Sequence, residues 1–85
     1  MNYFIYILHS QSKDRYYTGY SQNPEARLIK HNLGSTPSTR TGRPWTLVHK
    51  EEFDNKRDAF IREAEIKGMK SRKYIESLIG KDKIG

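Results

Sequence analysis

Three short β-prone runs separated by turn residues, and helix signals with caps between and after them, predict an α+β fold. The arrangement expected is a three-stranded antiparallel sheet flanked by helices, in the order β-β-α-β-α-α. The 85 residues make one domain, 1–85, because a chain this short has material for only one core.

Each element has its own signal. YFIYIL at 3–8 is a continuous apolar run, consistent with a strand buried on both faces. HSQSKD is turn-like, and RYYTGY at 15–20 reads as the returning strand. Asn23-Pro24 supplies a cap and a proline pre-set for the first helical turn, so a helix runs to about Leu33 with Gly34 as its stop. GSTPSTRTGRP at 34–44 has no large apolar residue and reads as a loop, and WTLVHKEEF at 45–53 is a third strand. Asn55 with Asp58 forms a capping pair for a helix to about Lys67, which Gly68 interrupts. Ser71 caps a last helix with the stripe Tyr74, Ile75, Leu78 and Ile79, ending at Gly80.

Composition narrows the function classes. Only 34% of residues are hydrophobic, against ~45–50% in typical domains, so the core must be thin and lean on tyrosine. With no cysteine, disulfides and thiolate metal sites are excluded. No apolar run is long enough to span a membrane and no secretory signal is visible, so the expected location is the cytoplasm. The net charge of +6 is uneven: residues 1–50 carry seven basic and two acidic side chains (+5), and 51–85 carry nine and eight (+1). Between Ala26 and Lys50 there are five basic residues and no acid, a single-sign block that suits a polyanion such as nucleic acid.

Three pieces point to chemistry. If the first hairpin turns through Ser10–Lys13, every cross-strand pair sums to 23; Tyr6 then faces Tyr17 and Phe4 faces Gly19. On the next helix Arg27, Lys30 and His31 share a face at i, i+3, i+4, leaving Leu28, Ile29 and Leu33 to dock on the sheet. Donors of this kind suit a phosphate. Glu63 falls in an apolar arc with Ala59, Phe60 and Ile66, where a carboxylate needs a partner; Glu65, near Ile61 and Met69, is its rival. One carboxylate with phosphate oxygens and water suits Mg²⁺. The polar loop adds hydroxyls at Ser35, Thr36, Ser38, Thr39 and Thr41, and charge at Arg40 and Arg43, as a second contact surface or as a mobile loop. Lys67, Lys70, Arg72 and Lys73 extend the basic surface or solvate a helix join.

FIY at 4–6 and YTG at 17–19, joined by a short hairpin, resemble the paired motif of the GIY-YIG nuclease superfamily. NPEARLIKHNLG, RPWTLV and AFIREAEIKGM resemble the family's following helix, later strand and Glu-bearing helix. The likeness covers residues 3–79 and is nearest to the small stand-alone bacterial members. Phe4 replaces the first glycine and Thr18 the central isoleucine of the second motif, and no equivalent of an additional C-terminal Asn is evident.

The resemblance implies a metal-dependent endonuclease acting on the DNA phosphate backbone, including branched or damaged DNA of the kind met in repair. Glu63 would hold one Mg²⁺ or Mn²⁺ ion, Tyr6 would help activate water, and Tyr17 would position water or phosphate. Arg27 would stabilise charge on the phosphate with His31 assisting, and Gly19 would let the strand backbone pass closely. Arg27 and the metal are expected to favour the Tyr6 phenolate. Lys30, Arg40 and Arg43 would hold DNA, with a protein partner supplying further affinity. Two alternatives compete: a non-catalytic nucleic-acid-binding module of the same fold, and a small RNA-binding protein of the translation machinery.

Overall fold

The apolar run at 3–8 becomes the middle of the sheet. In the computed structural model, which describes the backbone of residues 2–84 and the side chains of residues 2–80, β1 (Tyr3–Ser10) lies between β2 (Arg15–Ser21) and β3 (Trp45–Phe53). Both pairings are antiparallel. Alternation along β1 divides the core. Ile5 and Ile7 pack with Ala59, Ile66 and Leu78, whereas Tyr6 and Leu8 pack with Trp45, Leu28 and Tyr17. Tyr6 is the largest fully buried side chain among the described residues, so the core does lean on tyrosine.

The hairpin register differs from the expected one by two residues. Tyr6 pairs with Gly19, Leu8 with Tyr17 and Phe4 with Ser21. Ser10 stays in the strand, and its Oγ accepts a hydrogen bond from Lys13 N at 3.1 Å. Asp14, at φ 51°, closes the turn one residue later than expected. A shift of two preserves the side-chain faces, so Tyr6 and Tyr17 remain diagonal neighbours with ring centroids 6.4 Å apart. In β3 the register slips at Ile7/Leu8, whose partners are His49 and Leu47, which leaves Val48 as the extra residue of a bulge.

Helix α1 (Pro24–Asn32) starts as expected, with Asn23 Oδ1 accepting from Ala26 N at 3.1 Å. Gly34, at φ +83°, follows its Leu33 cap. Its buried face is a correction. His31 is fully buried, while Ile29 and Leu33 are 61% and 72% exposed. The sheet beneath offers a phenol that pairs with the imidazole, and this outweighs the apolar match. The polar stretch that follows is an ordered 3₁₀ segment (Pro37–Gly42) with Thr39 buried in it, rather than a mobile loop. Asn32 ties the end of α1 to the start of β3: its Oδ1 accepts from Trp45 N at 2.6 Å and its Nδ2 donates to Trp45 O at 3.1 Å.

Helix α2 (Lys56–Met69) is capped by Asn55, whose Oδ1 accepts from Asp58 N at 2.8 Å. It runs through Gly68 and stops at Lys70, φ 48°, because one helical glycine costs only about 1 kcal/mol. Helix α3 (Arg72–Ile84) begins at Ser71, whose Oγ accepts from Tyr74 N at 3.1 Å, and it continues past Gly80 for the same reason.

Candidate active site

Four of the five expected catalytic side chains line one cavity of about 380 Å³, shared with Tyr3, Gly19, Tyr20, Ser21, Gln22 and Lys56. Tyr6 comes from β1, Tyr17 from β2, Arg27 from α1 and Glu63 from α2. The fifth, His31, lies directly behind Tyr6: its Nε2 is 3.1 Å from Tyr6 Oη. The ring of Tyr17 is 4.8 Å from the imidazole, centroid to centroid.

Gly19 makes this arrangement possible. It sits opposite Tyr6, and a Cβ there would lie 2.7 Å from Tyr6 Oη and 2.8 Å from its Cζ. The close approach is therefore between Gly19 and the phenol itself. Helix α1 then presents Arg27 and His31, four residues apart, toward the sheet. Arg27 lines the cavity, and its buried Nε has no hydrogen-bond partner. An unpaired buried donor of a guanidinium suits an anionic ligand.

The two candidate carboxylates separate cleanly. Glu65 is 57% exposed and paired with Arg62, which also holds Glu51 at 2.9 Å. Glu63 is 12% exposed and faces the cavity, with the half-exposed Lys67 Nζ 3.5 Å away. Among the described residues no three His, Cys, Asp or Glu side chains cluster. A cation at Glu63 would therefore take its other oxygens from substrate and water, which fits a hard ion such as Mg²⁺ that keeps several waters.

Proton positions follow from the partners. Thr39 Oγ1 stands 2.8 Å from His31 Nδ1 and 3.2 Å from Thr36 O, a carbonyl to which it can only donate. Burial and then the Arg27 charge hold His31 below its ordinary 6.5, which keeps the ring neutral near pH 7. His31 Nε2 and Tyr6 Oη lie within hydrogen-bond distance, and a neutral ring has one donor and one acceptor nitrogen to offer. Burial pushes the Tyr6 phenol above its ordinary 10.0, and Arg27 only partly opposes this. Arg27 acts in the expected direction, but without a metal or substrate burial outweighs it and Tyr6 is a phenol.

The expected DNA-holding residues lie apart from this cavity. Lys30 is exposed and outside its lining. Arg40 and Arg43 line a separate cavity of about 620 Å³ with Lys13, Asn32, Thr41 and Pro44. Each is hooked by its Nε to a carbonyl, Arg40 to Gly34 O at 3.0 Å and Arg43 to Arg40 O at 2.8 Å. Lys67 and Arg72 are engaged with carboxylates, Arg72 with Asp14 at 2.6 Å.

Sequence reasoning misses two residues. Lys56 lines the cavity seven positions before Glu63, two helical turns on one face, and that spacing is a signal that could have found it. Thr39 reads in sequence as one more solvent-facing hydroxyl, and nothing local distinguishes it from Ser38 or Thr41.

A family model described as the GIY-YIG catalytic domain matches residues 2–75. A UPF0213 protein of Staphylococcus saprophyticus is 42% identical over 76 residues, covering 87% of this chain and 90% of that one. One from Natronomonas pharaonis is 40% identical over 79 residues, covering 92% and 91%. The solution NMR structure of a UPF0213 protein from Bacillus halodurans matches with a TM-score of 0.59 at 34% identity, over 94% of this chain and 84% of that one. Among the described residues no helix is long and apolar enough to cross a membrane.

Proposed function

The chain belongs to the GIY-YIG catalytic-domain family, a nuclease-type domain, and from that premise we propose that it hydrolyses phosphodiester bonds in DNA at the Tyr6–Tyr17–Arg27–Glu63 cavity. The observation that carries the reading is the convergence of a carboxylate, two phenols and a guanidinium from four separate elements on one polar cavity. Glu63 would hold one divalent ion, whose contribution when bound is positive charge against the phosphate oxygens.

The chain's own groups divide the remaining work. Arg27 offers an unpartnered donor to the phosphate as charge develops there. Tyr6 takes a proton from water while handing its own to His31 Nε2, so the phenol acts as a base without first existing as a free phenolate. Tyr17, whose ring packs at a tilt against His31, positions the water or the phosphate from the neighbouring strand. Lys56 and Gln22 hold the DNA backbone beside the scissile bond. Lys30, Arg40 and Arg43 contribute salt-sensitive grip on the backbone away from the cut.

A second reading, a nucleic-acid-binding module without catalysis, is favoured by one observation: Lys67 already neutralises Glu63 at 3.5 Å. One experiment separates them. Labelled duplex, flap, branched and single-stranded DNAs are incubated with Mg²⁺ or Mn²⁺ and with wild type, Glu63→Gln or Tyr6→Phe. Metal-dependent cutting that disappears in Glu63→Gln while DNA binding persists supports the nuclease. Binding without cutting across the whole panel sinks it in favour of the module.

A further inference from the structure

The polar chain behind Tyr6 does not end at His31. His31 is fully buried, and so is Thr39, whose hydroxyl is 2.8 Å from His31 Nδ1. We propose that Thr39 is a positioning residue that locks His31 in the Nδ1-protonated tautomer and thereby leaves Nε2 free to receive the Tyr6 proton. The catalytic part of this proposal rests on the hydrolase reading above, whereas the tautomer itself does not.

Thr39 Oγ1 has one hydrogen, and the Thr36 carbonyl at 3.2 Å has nothing to donate in return. With that hydrogen directed to Thr36 O, Thr39 Oγ1 presents a lone pair to His31 and Nδ1 carries the hydrogen. A neutral ring protonated at Nδ1 has an acceptor at Nε2, where Tyr6 Oη stands at 3.1 Å. The opposite tautomer, which imidazole prefers in water, would donate to Tyr6 and leave the phenol no internal acceptor for its proton.

The Thr39 backbone is itself held at both its N–H and its carbonyl. Its backbone N donates to Thr36 O at 3.1 Å, and its carbonyl accepts from Trp45 Nε1 at 2.6 Å. Trp45 is in turn fixed to α1 through Asn32. The threonine therefore has a single orientation in which to offer its oxygen, as the orienting group of a hydrogen-bonded base generally requires.

The step balances. As the water oxygen forms its bond to phosphorus, one of its protons passes to Tyr6 Oη while the Tyr6 proton passes to His31 Nε2. The bond from phosphorus to the leaving oxygen breaks with its electron pair, and that oxygen takes a proton from solvent. His31 is then an imidazolium donating to both Tyr6 and Thr39. Its extra proton returns through Tyr6 to solvent as product leaves.

The test uses the full chain as wild type, Thr39→Val and Thr39→Ser. Histidine ¹⁵N chemical shifts at neutral pH report the tautomer without any substrate. Wild type and Thr39→Ser are expected to show His31 protonated on Nδ1, and Thr39→Val to show loss of that state. In single-turnover cleavage, Thr39→Val should lose about tenfold or more in rate, because a misplaced base forfeits part of the ~10²–10⁴ that such catalysis supplies. Its KM should move by less than about twofold, and Thr39→Ser should recover most of the rate.

Wild-type His31 protonated on Nε2 overturns the proposal, whether or not any variant folds. So does an unchanged tautomer in Thr39→Val, or equal rate losses in the Val and Ser variants, which would mark a packing role. A wild type that cuts no DNA while showing the Nδ1 tautomer fails the hydrolase reading and removes the catalytic part of the proposal with it.

Discussion

Two cavities of this small domain position their polar groups by opposite means. Around Tyr6 the side chains of Tyr17, Arg27, His31 and Glu63 are half-buried or buried, and a chain of polar contacts runs from Thr36 O through Thr39 and His31 to the phenol. Around Arg40 and Arg43 the guanidiniums are exposed, and each is held only by one hook to a backbone carbonyl. The first design suits chemistry that needs an atom within a fraction of an ångström. The second suits a polyanion that can slide, where charge matters more than placement.

That contrast can be broken at several points. The largest effect is expected for Glu63→Gln, which keeps shape but removes the charge that holds a cation; metal-dependent cleavage should fall by about 10²-fold or more while DNA affinity changes little. Retained cleavage would place the chemistry elsewhere. Next comes Gly19→Ala, whose new methyl would sit 2.7 Å from Tyr6 Oη. It should push the phenol off His31, costing about 1–3 kcal/mol of stability, as overpacking generally does, together with most of the activity. An unfolding curve and a rate matching wild type would show that Tyr6 has room to move.

The basic cavity should respond differently. Arg40→Ala with Arg43→Ala is expected to weaken DNA binding at every sequence and to reduce the slope of log affinity against log salt by about 2, at ~0.9 for each phosphate no longer neutralised. An unchanged slope would remove both residues from the interface.

The smallest effect is a pH dependence from His31. Its folded pKa lies below the unfolded 6.5, so the unfolded chain binds the extra proton first. Stability from this group is present above pH 6.5 and falls as the pH drops through and below that value toward the folded pKa. Urea unfolding of wild type should show that decline, and His31→Asn, though less stable, should show a shallower one. Equal slopes would mean that the imidazole is not held neutral.

Much of this is legible from residue order. The strands and the caps at Asn23, Asn55 and Ser71 follow from local rules of periodicity and capping, whereas the grouping of Tyr6, Tyr17, Arg27 and Glu63 is legible through the family resemblance. What local rules miss depends on long-range partners. His31 goes inward because Tyr6 and Thr39, distant in sequence, satisfy both ring nitrogens; a helix wheel sees only that it is polar. Ile29 and Leu33 go outward for the complementary reason. The hairpin register turns on the Ser10 hydroxyl and on Asp14 adopting a left-handed conformation, choices that composition does not display.

Asn32 has a last consequence. By pairing with both the N–H and the C=O of Trp45, it closes residues 33–44 into a loop whose mouth is stitched by one side chain. The helix that carries Arg27 and His31 is thereby anchored independently of the loop's length. Exposed positions such as Ser35 are then a tuning region, where added residues alter the grip on a ligand while the 3₁₀ segment that carries Thr39 keeps its place against His31. A two-residue glycine insertion after Ser35 should leave the Tyr6–His31 contact intact by NMR, and a broken contact would show that the loop, rather than the stitch, sets the spacing.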